Sequence, residues 1–174
     1  PMTFAAEGLP AGLKLDASSG RITGFINKPG TYQVKLIARN KLRTAEKMLR
    51  IEIGDKICLT PPMGWNSWNC WSCSVTGEKV RQSAKAMVEK GLINYGWTYI
   101  NIDDCWHGQR DPETGEIRSN EKFPDMKALA DYVHSLGLKI GLYTDCGPKT
   151  CAGYVGSEGH EEQDIMTYAK WGYD

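Results

Sequence analysis

No excess of either charge marks this chain, since 21 lysines and arginines face 21 aspartates and glutamates. A balanced chain lacks the basic stripe that nucleic acid or an anionic membrane surface selects, so neither is expected as a partner. Long apolar runs are missing too, and no segment approaches the roughly 20 residues a bilayer crossing needs. Histidine is scarce, at 3 residues, and no His-x-His pattern accompanies the carboxylates. That argues against a metal-centred barrel hydrolase built on Asp103, Asp104 and His107. The first residue is Pro1, already inside strand-and-turn sequence. The chain therefore reads as a piece of something longer, with no signal peptide readable from it.

Cysteine is neither absent nor abundant. Six are too many for chance and too few for a disulfide-built scaffold. Cys70 and Cys73 form a C-x-x-C, while four residues separate Cys146 from Cys151. Spacing alone leaves three states open: structural disulfides, free thiols, or zinc held by two pairs. Thioredoxin-like chemistry is a poorer fit, because Cys70-Trp71-Ser72-Cys73 opens no obvious helix beside a strand. Disulfides would imply an oxidising compartment.

Residues 1–54 have their own rhythm. Turns at Gly8-Leu9-Pro10-Ala11-Gly12, Asp16-Ala17-Ser18-Ser19-Gly20 and Lys28-Pro29-Gly30 separate short runs. Leu13 and Leu15 alternate with polar residues, as do Tyr32, Val34 and Leu36, then Leu49, Ile51 and Ile53. Period two means half-buried antiparallel strand. Four or five such strands predict a partial all-β immunoglobulin-like sandwich, short of the roughly seven of a whole one. The wording Gly-Leu-Pro-Ala-Gly-Leu, Gly20-Arg21-Ile22-Thr23-Gly24 and Pro29-Gly30-Thr31-Tyr32 resembles the immunoglobulin-like modules of bacterial surface and secreted enzymes. That resemblance, over residues 4–53, implies a spacer rather than a catalytic module.

Residues 55–62 read as a linker stiffened by Pro61-Pro62. From Met63 the rhythm is β/α. Gly64 to Trp68 is a strand and its loop, and a helix over about 78–90 puts Val80, Ala84, Met87 and Val88 on one face before Gly91. Tyr99-Ile100-Asn101-Ile102 is a buried strand ending in Asp103-Asp104-Cys105-Trp106. Asp111 to Glu116 is a hairpin or lid loop. A second helix begins near Pro124 with Met126, Leu129, Ala130 and Val133 inward. A strand over 138–143, a helix over 160–171 and a fourth strand opening at Tyr173-Asp174 complete the alternation. A parallel sheet is the economical solution. Three units over residues 63–174, close to about 37 residues each, predict the first three β/α units of a TIM (β/α)8 barrel, the N-terminal part of its catalytic domain.

Such folds gather chemistry at the carboxyl ends of their strands. Trp68, Asp103 with Asp104, and Tyr143 with Asp145 follow three successive strands. Carboxylates accept hydrogen bonds from vicinal hydroxyls, and aromatic faces pack on the C–H side of a sugar ring. Trp106 is a further candidate for an aromatic wall. The plainer alternative is that the two acids cap the next turn and the Trp106 indole is core.

Five segments then resemble glycoside hydrolase family 27, the α-galactosidases and α-N-acetylgalactosaminidases. They are Pro61-Pro62-Met63-Gly64-Trp65-Asn66-Ser67-Trp68, Ile102-Asp103-Asp104-Cys105-Trp106, Ala130-Asp131-Tyr132-Val133-His134-Ser135, Gly137 to Tyr143, and Lys149-Thr150-Cys151-Ala152-Gly153. The resemblance covers residues 60–174. It implies a retaining mechanism on terminal α-linked galactose, with no metal or organic cofactor. It makes Trp68 the wall under the sugar, Asp103 and Asp104 acceptors for the 6- and 4-hydroxyls, and Tyr143 a neighbour of the reacting end. It also pairs Cys73 with Cys105, places Cys151 among the substrate-binding residues, and matches it to a cysteine whose partner follows the nucleophile beyond Asp174. Both catalytic carboxylates are expected beyond Asp174 as well, which itself matches the residue before the nucleophile motif. Cys58, Cys70 and Cys146 fall outside the shared positions. A secreted or periplasmic bacterial location follows as an expectation. A non-catalytic carbohydrate-binding surface protein is the competing reading, and N-acetylgalactosamine the competing sugar.

Overall fold

A computed structural model describes residues 1–54 and 61–174. Most of the expected linker, and Cys58 within it, lies outside the described residues. The chain divides into two compact units, Pro1–Pro61 and Pro62–Asp174.

In the first unit β1 (Thr3–Glu7), β4 (Gly30–Arg39) and β5 (Thr44–Ile53) form an antiparallel sheet in the order β1-β4-β5. β2 (Leu13–Leu15) and β3 (Ile22–Gly24) make a separate two-stranded ribbon. The period-two residues share one face, with Tyr32 opposite Ile51 and Val34 opposite Leu49. Val34 is fully buried there. Strand β1 escaped the sequence pattern because Thr3-Phe4-Ala5-Ala6-Glu7 carries two alanines, which have little strand preference.

In the second unit β6 (Gly64–Asn66), β7 (Tyr99–Ile102) and β10 (Lys139–Leu142) form a parallel sheet with β7 in the middle. A short helical turn, α1 (Trp68–Trp71), follows β6, and α2 (Gly77–Glu89), α3 (Met126–Ser135) and α4 (Glu161–Trp171) complete the helices. Thr76 caps α2 through a hydroxyl that accepts the Lys79 N–H, and the Asp125 carboxylate accepts the Ala128 N–H of α3. Gly91, Gly137 and Gly172 take positive φ just past the helix ends, where a Cβ would be strained. Ile100, Ile102 and Ile140 are buried together with Val80, Ala84 and Met87 of α2 and Leu129, Ala130 and Val133 of α3. Alternation along β7 and β10 then sends Asn101 and Gly141 to the other face. Gly64 permits the close approach of β6, since a Cβ there would lie 2.2 Å from the Tyr99 carbonyl oxygen.

The segment expected as a hairpin or lid is a hairpin: β8 (His107–Arg110) pairs antiparallel with β9 (Ile117–Ser119). The Asp111 carboxylate shapes its turn by accepting the Glu113 and Thr114 N–H groups. Tyr173-Asp174, expected to open a fourth strand, are not strand in this structure. Asp174 instead donates one backbone hydrogen bond to the Ile140 carbonyl. Its carboxylate accepts the Ile140 N–H and meets His134 at 2.8 Å.

Candidate functional site

Strand register places the site. Asn66 on β6 and Gly141 on β10 both pair with Asn101 on β7. Trp68, Asp103 and Tyr143 each lie two residues beyond that aligned trio, at the carboxyl end of three adjacent parallel strands. Three side chains of sugar-binding type therefore leave the sheet at one level and one end.

Asp103 is half-buried and held from three sides. Its N–H donates to the Ser67 hydroxyl at 2.9 Å, and the Asn66 side-chain amide donates to Oδ2 at 2.8 Å. Its Oδ1 accepts the Asp104 N–H at 2.8 Å. Asp104 is 1% exposed. Its Oδ1 accepts the Cys105 N–H at 2.7 Å, and its Oδ2 accepts the Ala152 N–H at 2.8 Å. Each carboxylate oxygen thus has one N–H donor and one further lone pair for a hydroxyl. Turn-capping, the plainer alternative for these acids, accounts for two of the four bonds.

Trp68 opens α1, its N–H held by the Asn66 side-chain carbonyl at 2.8 Å, and 39% of the residue is exposed. That leaves an indole free to cover a ring. Trp106, the other aromatic candidate, is fully buried, and its Nε1–H donates to the Tyr143 carbonyl at 2.8 Å. It is core, and it fixes the Tyr143 backbone. The Tyr143 hydroxyl points to Cys151 Sγ at 3.5 Å. That contact, with some burial, pushes the phenol up to about 12, so Tyr143 stays protonated as a donor. Cys151 is exposed and free, as are Cys70 and Cys146.

Cys73 and Cys105 are joined by a disulfide, with Cα atoms 5.1 Å apart. Cys105 sits at φ +76, a left-handed conformation disfavoured for a side-chain-bearing residue. It turns the chain sharply off β7 and aims the sulfur at the loop after β6. The bridge closes 32 residues of sequence separation, and such a loop is worth about 2–4 kcal/mol. Reducing it, or replacing Cys73 with Ala, is expected to lower the melting temperature of the full-length protein. An unchanged melt would show the bridge to be idle.

Sequence reasoning missed the supporting residues. Asn66 and Ser67 were readable as polar groups after a strand, but their target was not. His107 is 2% exposed, stacks on Trp106 with centroids 4.0 Å apart, and has Nδ1 3.6 Å from Asp104 Oδ1. Burial pushes its imidazole down to about 4, against the pull of the Asp104 and Asp164 carboxylates. Arg110 forms a bidentate pair with buried Asp164 at 2.7 Å for both bonds. Among the described residues no three or more His, Cys, Asp and Glu side chains gather into a metal-ligating group.

Parallel β/α order with polar and aromatic residues at the strand ends defines the class: part of a β/α domain of enzyme type, preceded in sequence by a small antiparallel β unit. The α-galactosidase A family matches residues 60–174, and the chain belongs to it. An immunoglobulin domain family matches residues 1–54. The α-galactosidase A of Cellvibrio japonicus is 56% identical over 122 residues, which are 69% of this chain and 30% of that protein. A candidate α-galactosidase from Bacteroides fragilis has a solved structure, 46% identical with a TM-score of 0.76, covering 100% of this chain and 38% of that one. The structure of α-galactosidase I from Mortierella vinacea is 41% identical with a TM-score of 0.66, over 68% of this chain and 30% of that one. The chain spans about a third of the length of these relatives. Among the described residues, no helix is long and apolar enough to cross a membrane.

Proposed function

We propose that this chain is the sugar-reading part of a retaining glycoside hydrolase that releases terminal α-linked galactose. The observation that carries the reading is the common level of Trp68, Asp103 and Tyr143 past the aligned trio Asn66, Asn101 and Gly141. In this reading residues 63–174 supply the first three β/α units of the barrel, and residues 1–54 are a spacer module joined through residues 55–62. Trp68 covers the apolar side of the ring. Asp103 and Asp104 accept the 6- and 4-hydroxyls, with Tyr143 near the reacting end and Cys151 a further substrate-binding residue.

The physics of selection lies in the carboxylates. Galactose and glucose differ in the orientation of one hydroxyl, at position 4. A buried acceptor aimed at the axial hydroxyl stays poorly paired when the epimer binds, and rejects it. A retaining mechanism needs two carboxyls about 5–5.5 Å apart across the glycosidic bond. Asp103 and Asp104 are adjacent and tied to backbone N–H groups, which suits holding a sugar rather than flanking its bond. In this reading the nucleophile and acid/base come from outside residues 1–174, as the family resemblance implies. The disulfide suits an oxidising location such as a bacterial periplasm or the medium.

The test is turnover by the full-length protein of an aryl α-galactoside beside the α-glucoside and the α-N-acetylgalactosaminide. Galactose released first as the α-anomer, with the glucoside refused, is the expected result. Faster release of N-acetylgalactosamine, or no turnover at all, would overturn it.

A further inference from the structure

His107 is one of the buried titratable side chains that the mechanism leaves unused. His107 opens β8, three residues past Asp104, and neither ring nitrogen has a hydrogen-bond partner among the described residues. An unpaired polar group in the interior is costly, so its retention asks for an explanation. The ring is fixed by stacking, on Trp106 at 4.0 Å and on Tyr154 at 6.1 Å between centroids, with Tyr143 edge-on at 6.4 Å. These contacts leave the ring little freedom to turn away. Its Nδ1 faces Asp104 Oδ1 at 3.6 Å, just too far for a hydrogen bond.

We propose that His107 is a positioning residue for Asp104, its Nδ1–H closing onto Oδ1 when a sugar hydroxyl engages that carboxylate. The inference rests on the assignment of Asp104 to the 4-hydroxyl. Burial keeps the ring neutral near pH 7, as Asp104 and Asp164 fail to offset desolvation and Arg110 adds to it. A neutral imidazole carries one N–H, and the carboxylate beside Nδ1 favours it there. Oδ1 is then addressed by the Cys105 N–H and the imidazole, and Oδ2 by the Ala152 N–H. The two backbone donors set the carboxylate's orientation before the sugar arrives, and the imidazole holds it there once the hydroxyl engages. Catalytic hydrogen bonds that are long in an empty site and tighten on binding are a recognised pattern.

The experiment measures kcat/KM of the full-length enzyme on an aryl α-galactoside and on its 4-deoxy analogue. Taking the ratio of the two cancels any change in the active fraction. For His107→Phe, a loss of about tenfold is expected on the galactoside, the scale of one hydrogen bond. The loss should shrink to about twofold or less on the 4-deoxy sugar. His107→Asn, which can present an amide N–H near the same place, should recover most of the ratio. Equal losses on both substrates would mark His107 as merely structural, and no loss on either would make it idle. Both results overturn the proposal. Asp104→Asn is run alongside. If it discriminates the two sugars and His107→Phe does not, this inference alone falls. If Asp104→Asn does not discriminate them, the assignment of Asp104 falls and takes this inference with it.

Discussion

Replacing Asp103 or Asp104 with Asn is expected to lower kcat/KM for α-galactosides by roughly tenfold to 150-fold in the full-length enzyme. That is the scale of losing a hydrogen bond to a charged acceptor, about 1.5–3 kcal/mol. The amide also fails locally. Asp103 receives N–H donors on both oxygens, from Asn66 and Asp104, and Asp104 does so from Cys105 and Ala152. An Asn has one acceptor oxygen, so one donor in each set would face an NH2 group. Each variant should therefore also melt earlier than the wild type. Wild-type turnover by both variants would remove these acids from the site.

Such double duty explains why the site was only partly legible from residues. The strand ends were readable because β-branched and aromatic runs stop at polar residues, and α2 and α3 were readable from their apolar faces. The glycines after the helices marked their ends, and the expected starts near 78 and 124 fall within two residues of Gly77 and Met126, while the caps Thr76 and Asp125 went unread. What one-dimensional pattern could not rank was the two indoles. Trp68 and Trp106 both follow a strand, yet Trp68 is left open while Trp106 is buried against Tyr168 and Trp171 of α4. That difference is made by an element more than sixty residues later. The disulfide is similar: spacing left three cysteine states open, and the family resemblance supplied the Cys73–Cys105 pair that the structure contains. The supports of Asp104 were illegible for the same reason, since Ala152 contributes only its backbone N–H. Strand β1 was missed because its partner β4, rather than its own alanines, makes it a strand.

Arg110→Ala is expected to cost about 3–5 kcal/mol, the range for stripping one partner from a buried ion pair. Asp164 is 1% exposed and meets Arg110 through two parallel bonds. The same guanidinium donates to the Gly115 carbonyl at 3.0 Å and the Gly156 carbonyl at 2.8 Å. Ser157 adds a hydroxyl bond to Asp164 at 2.7 Å. One side chain thereby ties the β8–β9 hairpin, the segment ahead of α4 and α4 itself together. Truncation leaves a carboxylate buried without its cation and two carbonyls short of a donor, which is why the loss should exceed that of a surface pair, about 0–1 kcal/mol. The segment released also carries Ala152, whose N–H holds Asp104 Oδ2. A rise in KM for the galactoside should therefore accompany the lower melting temperature. The double variant Arg110→Met with Asp164→Leu should recover much of the stability, because it removes the orphaned charge along with the pair. If Arg110→Ala alone melts within a degree of the wild type, the pair is not the clamp that its geometry describes.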